Sequence, residues 1–124
     1  MKIFGTARED YLKAILVLQR KQGVVHSIDV ARYLGLSKPS VSRAVSLLKK
    51  DGYLTMDKEY ALNMTTEGRE LAEKIYERHC FFTRQLKSIG VDTTTAEEDA
   101  CRLEHAISDI SFQKLKEKYL META

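Results

Sequence analysis

Two short amphipathic segments, "IDVARYL" and "KPSVSRAVSLLKK", joined by a tight turn and followed at Gly52 by a change of period, restrict this chain more than any other feature. Ser27 is placed to cap the first segment and Gly35 to end it. Ser37 caps the second, and Pro39 stands in its first turn, where a missing N–H costs nothing. Val41, Ala44, Leu47 and Leu48 offer an inward stripe as far as Gly52. Beyond Gly52, "YLTM" and "YALNM" flank the charged "DKE", which predicts a two-stranded hairpin that must lean on the helices. Upstream, Thr6 and Glu9 form a capping box ahead of Tyr11, Ile15 and Leu18, so a first helix is expected from about Ala7 to Gln22, ending at Gly23. Three helices with a tight second joint and then a hairpin is the element order of a winged helix-turn-helix.

The second half returns to helical spacing. A long helix begins at Thr65 and Thr66, carries Leu71, Ile75, Phe82, Leu86 and Ile89 on one face, and closes at Gly90. Thr94 with Glu97 suggests another capping box, before a stripe of Ala96, Ala100, Leu103 and Ile107. A last helix is expected over roughly Asp109 to Met121, with Ile110, Leu115 and Leu120 as core candidates. The fold class is therefore mainly α, with the winged helix-turn-helix over residues 1–64 and a helical module over 65–124.

Charge and composition narrow the function. Residues 1–60 hold eleven Lys/Arg against six Asp/Glu, whereas 61–124 hold nine against twelve, so the front is +5 and the back −3. Such a division suits a polyanion-binding head on a module with another task. No apolar run approaches the length of a membrane span, and "MKIFGTAREDYLK" lacks the plan of a secretory signal, so a cytoplasmic protein with no membrane partner is expected. The two cysteines, Cys80 and Cys101, are then read as reduced thiols.

In a winged helix-turn-helix the third helix enters the major groove by its first turns, which here present Ser37, Lys38, Pro39, Ser40, Ser42 and Arg43. Lys38 suits a phosphate, the serine hydroxyls can reach phosphates or base edges, Pro39 offers an apolar edge to a thymine methyl, and Arg43 can reach guanine O6/N7 or a phosphate. Lys58, at the hairpin tip, would lie over the backbone or minor groove. The same serines and proline also serve simply to start a helix, but the complete element order favours double-stranded DNA. RNA is disfavoured because the chain has neither an aromatic stacking platform nor a glycine-rich clamp.

In "EEDACRLEHAISD", Cys101, Glu104 and His105 stand at i, i+3 and i+4, so all three can turn toward one point on the flank of the apolar stripe. A thiolate, a carboxylate and an imidazole together suit a first-row divalent ion. His79 lies at the edge of the long helix's apolar face, an expensive place for an imidazole without a partner, and Asp10 lies at the rim of the first helix's apolar face. A hydrogen-bonded core histidine and a carboxylate interacting with a helix N-terminus are the plainer readings of those two residues.

The segments "TAREDYLKAI", "VARYLGLSKPSVSRAVSLLKKDGYL", "LNMTTEGRELAEKIYERH" and "ACRLEHAISD" resemble, in order and over nearly the whole chain, the diphtheria toxin repressor family of metal-dependent transcriptional regulators. The resemblance implies that the back half, 65–124, is a dimerisation and metal-binding domain. It also implies a principal metal site of Asp10, Cys101, Glu104 and His105, with His79 belonging to a second position. Asp10 is similar to the manganese-responsive branch and Cys101 to the iron-responsive one. Lys13, Thr83 and Glu97 stand where the branches supply further second-site donors, so the resemblance does not deliver a complete second site. The protein it implies is a short, two-domain homodimeric repressor, not an enzyme and without an organic cofactor. Loaded with Fe(II) or Mn(II), with Co(II), Ni(II) and Zn(II) as alternatives, such a repressor would bind a pseudo-palindromic operator and control metal uptake or homeostasis. Two other functions fit parts of the sequence: a metal-independent winged-helix regulator, and a small metal-dependent hydrolase using Glu104 as base. The second has less support, since the chain lacks the "HExxH" spacing.

Overall fold

Helix α1, Ala7–Gln22, begins the part of the chain that the computed structural model describes, residues 7–123. The capping box expected at Thr6 lies outside those residues. Tyr11, Leu12, Ile15, Leu16 and Leu18 of α1 are buried, and Gly23 leaves the helix at φ +83°, a left-handed conformation that glycine adopts without strain. Helix α2, Ser27–Leu34, is capped not by Ser27 but by the residue before it: the Asp29 carboxylate accepts from the His26 backbone N–H at 2.8 Å. Helix α3, Lys38–Lys50, starts as expected, with the Ser37 hydroxyl accepting from the Ser40 N–H at 3.3 Å.

Strands β1, Leu54–Met56, and β2, Leu62–Met64, pair antiparallel with Leu54 opposite Met64 and Met56 opposite Leu62. Such a ribbon needs support, and the α1–α2 connection provides it. The Leu62 N–H donates to the Val25 carbonyl at 2.8 Å, and the Gln19 amide donates to the Leu62 carbonyl at 3.2 Å. His26 Nε2 also lies 3.2 Å from the Glu59 carbonyl in the hairpin turn. In that turn one Asp57 carboxylate oxygen accepts from the Glu59 and Ala61 backbone N–H groups, which holds the tip in a single shape.

Helix α4, Thr66–Ser88, begins with Thr65 fixed twice, its hydroxyl donating to the Gly52 carbonyl at 2.7 Å and accepting from the Gly68 N–H at 3.1 Å. Gly68 packs directly on the backbone of Tyr53, leaving no space for a Cβ. Helix α5, Thr93–Ala106, is capped by Asp92, which accepts from the Thr95 N–H at 3.0 Å, rather than by Thr94. That backbone hydrogen bond holds the Asp92 carboxyl below its ordinary pKa. Helix α6 spans Asp109–Thr123.

The chain divides into two compact units, Met1–Tyr76 and Glu77–Ala124, with α4 contributing to both. The first unit is cored by α1, α2, α3 and the hairpin, with Val41, Val45 and Leu48 turned inward from α3. Leu47, expected in that stripe, is instead 60% exposed, because it stands roughly a third of a turn from Val41. The second unit is cored by aromatic rings. Phe81 meets Phe82, Phe112 and Tyr119 edge to face at 5.3 to 5.7 Å, with Ala100 and Ile107 against them. Phe112 and Tyr119 thus fill the places expected for Ile110, Leu115 and Leu120, all three of which are exposed.

Candidate metal centre and nucleic-acid interface

Helix α5 turns Ala96, Ala100, Cys101 and Glu104 inward, while Leu103 is 40% exposed. The polar residues are therefore part of the buried face rather than its flank. Glu104 is 0% exposed, a costly place for a carboxylate unless cations or donors surround it. Both of its oxygens have such neighbours: Oε2 lies 3.0 Å from His79 Nδ1 and Oε1 lies 3.4 Å from His105 Nε2. The Cys101 thiol approaches the same His79 Nδ1 at 3.8 Å. Donor atoms of His79, Cys101 and Glu104 all fall within 4.8 Å of one another.

An imidazole, a thiol and a carboxylate from His79, Cys101 and Glu104 satisfy the donor chemistry of a first-row divalent ion, and a second imidazole, His105, meets the other oxygen of the same carboxylate. Helices α4 and α5 bring the donor atoms of His79, Cys101 and Glu104 together. Asp10 belongs to α1 in the first unit, where it is buried, as is Lys13 one turn later. Thr83 lies one turn beyond His79 on α4, and Glu97 is exposed at the start of α5.

On α3, Ser37, Lys38 and Pro39 are exposed at the helix start, and Ser40 is half-buried and receives a 2.9 Å hydrogen bond from the Ser37 hydroxyl. Ser42 and Arg43 are exposed one turn further on. Arg43 also acts on Tyr11 of α1: burial pushes the phenol's pKa up, and the nearby guanidinium partly offsets that rise. Ser42, Arg43, Ser46 and Leu47 together line an open depression on the outer face of α3. Ser46 and Leu47 are not among the residues that the sequence points to for this face. Leu47 completes the outward row Pro39, Arg43, Leu47 at i, i+4 and i+8, and Ser46 stands at i+3 from Arg43. Lys58 is exposed in the hairpin turn.

No helix among the described residues is long and apolar enough to cross a membrane. Residues 4–62 match the N-terminal DNA-binding domain of the iron-dependent repressors, and residues 65–120 match their metal-binding and dimerisation domain. The HTH-type transcriptional regulator MntR of Lysinibacillus sphaericus is 32% identical over 107 residues, covering 86% of this chain and 77% of that protein. The diphtheria toxin repressor of Corynebacterium glutamicum is 34% identical over 118 residues, covering 94% of this chain and 52% of that one. Among solved structures, the manganese regulator SloR superposes with a TM-score of 0.78 at 28% identity, over 91% of this chain and 53% of SloR. The chain thus spans about half the length of the latter two proteins and about three quarters of the first. It belongs to the diphtheria toxin repressor family of metal-dependent transcriptional regulators, and not to a family of enzymes.

Proposed function

We propose that this chain is a cytoplasmic, homodimeric repressor whose affinity for a pseudo-palindromic operator rises when Fe(II) or Mn(II) is bound, with Co(II), Ni(II) or Zn(II) able to substitute. The observation that carries this reading is the convergence of His79, Cys101 and His105 on the buried Glu104 of a chain whose other unit is a winged helix. A bound divalent cation would supply positive charge beside the buried Glu104 carboxylate and Cys101 sulfur. Asp10, which the family resemblance assigns to the principal metal site, is proposed as a further oxygen donor. The DNA-binding domain occupies 1–64, and the metal-binding and dimerisation domain occupies 65–124. The match of residues 65–120 to a metal-binding and dimerisation domain supports self-association of the second domain.

By linkage, a cation that favours the DNA-competent arrangement binds more tightly once DNA is present. The test is titration of reduced protein with DNA from its own upstream region, in chelator and then in saturating Mn(II) or, anaerobically, Fe(II). The expected gain in affinity is about tenfold or more. Equal affinity in both conditions would leave a metal-independent regulator.

The proposed DNA contacts separate into two kinds. Arg43→Ala is expected to cost about 1–3 kcal/mol on the operator and to relax preference at one or two base pairs, as for an arginine bidentate to guanine. Lys38→Ala is expected to weaken operator and random duplex alike and to flatten the salt dependence. Gel shifts on both duplexes at two salt concentrations distinguish these patterns. Equal losses for Arg43→Ala on the two duplexes would reassign it to a phosphate.

A further inference from the structure

Arg78 stands one residue before His79 on α4 and is 4% exposed. A buried guanidinium needs acceptors for its donors, and here they come from one place in the chain. Nη1 donates to the Glu104 carbonyl at 3.2 Å and to the Ile107 carbonyl at 2.7 Å, while Nη2 is ion-paired with the Asp109 carboxylate. The Phe112 ring lies 5.3 Å from the guanidinium carbon. Helix α5 ends at Ala106, so these carbonyls belong to the helix end, where the last acceptors have no partner within the helix. A cation there also complements the partial negative charge of the α5 C-terminus.

Two consecutive α4 residues thus hold one α5 residue at both ends. Arg78 binds the Glu104 backbone, and His79 meets its carboxylate at 3.0 Å. We infer that Arg78 is a positioning residue for the metal centre, fixing the roll and axial position of α5 so that Glu104, and Cys101 one turn earlier, face His79. Through Asp109 the same side chain ties those donors to the first turn of α6. The inference rests on the metal-binding reading above but assigns a role to a residue that donates nothing to the ion.

The fork geometry of arginine matters, because three acceptors are engaged at once and lysine cannot match their directions. Arg78→Lys keeps the charge and loses the fork. Asp109→Asn is the gentler variant, since the Asp109 side chain is 73% exposed and its loss leaves both carbonyl contacts in place. The probe is Co(II), titrated anaerobically into the parent chain, Arg78→Lys, Asp109→Asn and the double variant, with affinity and visible ligand-field spectrum recorded. Thermal unfolding of each metal-free protein is measured in parallel.

Arg78→Lys is expected to weaken Co(II) binding about 10- to 100-fold, the range for contacts that orient a ligand without touching the ion, and to shift the ligand-field bands. Asp109→Asn is expected to weaken binding less, and the double variant to resemble Arg78→Lys alone, because both substitutions act on one network. Lower thermal midpoints with parental Co(II) affinity and spectrum would overturn the inference and leave Arg78 as a packing residue. Should Arg78→Lys fail to fold, Asp109→Asn decides: a changed affinity or spectrum supports positioning, and parental values overturn it. A parent that binds no Co(II) overturns both this inference and the reading on which it rests, whereas a parent that binds beside unaffected variants overturns this one alone.

Discussion

Gly68→Ala is expected to destabilise the protein by about 3 kcal/mol, at the upper end of overpacking costs. Helix propensity alone predicts the opposite sign, since alanine is favoured over glycine in a helix interior by about 1 kcal/mol. The reason lies in the first turns of α4, where a Cβ on Gly68 would stand 2.1 Å from the Tyr53 carbonyl oxygen and 3.0 Å from its carbon. Both obstacles are backbone, so no rotamer change relieves them. Nor can the Tyr53 peptide move freely, because its oxygen accepts from the Thr65 N–H at 3.0 Å and its own N–H is bonded to the Leu48 carbonyl. The clash therefore propagates into the end of α3 and the start of β1. Denaturant unfolding of the two proteins side by side tests this, and an unchanged or raised midpoint for Gly68→Ala would show that α4 can slide away from Tyr53 at little cost.

The contact between Gly68 and Tyr53 shows what the sequence carries and what it hides. Element order was legible because caps, glycines and a change of period mark boundaries locally: Ser37 before α3, Gly23 after α1, "DKE" between the strands. Helical phase was less so. In "VSRAVSLLKK" the apolar residues span nearly half the circumference with Leu47 at one edge, and only the docking of α3 selects Val41, Val45 and Leu48 over Leu47. In α6 the aliphatic residues outnumber the aromatic ones, yet Phe112 and Tyr119, at i and i+7, share the face that meets Phe81, while Ile110 stands on another face. The caps of α2 and α5 were misplaced by one or two residues, since several Ser, Thr and Asp compete near each start and only backbone geometry chooses. At the candidate metal centre, the donors on α5 were visible from spacing. Arg78 was not, because nothing local distinguishes an arginine that caps a distant helix from one in solvent.

Cys101→Ser is expected to abolish metal-stimulated DNA binding while leaving the fold and the weak, salt-sensitive affinity for any duplex. Those properties are assigned to other residues: the fold rests on the two cores, and the weak affinity is proposed to rest on Lys38, Arg43 and their neighbours. Cys101 is 3% exposed and lies 3.8 Å from the His79 nitrogen that also meets Glu104, so the thiol cannot leave the cluster without leaving the core. A hydroxyl in its place is a much poorer donor to Fe(II), Co(II) or Zn(II), and the loss of affinity should exceed the roughly 10- to 100-fold typical of residues that only support a ligand. Cys101→Glu supplies a harder donor at the same position and should retain activation while shifting preference toward Mn(II). Cys80→Ser should change little, because Cys80 is not among the clustered donors. A thiol must lose its proton to bind a cation, so loading the parent should release protons and weaken as pH falls, and Cys101→Ser should lose part of that pH dependence. The comparison is anaerobic metal titration of the three variants followed by gel shift, with the Co(II) form of the parent examined for thiolate-to-metal absorption. Normal activation of Cys101→Ser, in a protein whose Co(II) form lacks that absorption, would mean that the cysteine packs beside the ion and that the other proposed donors hold it.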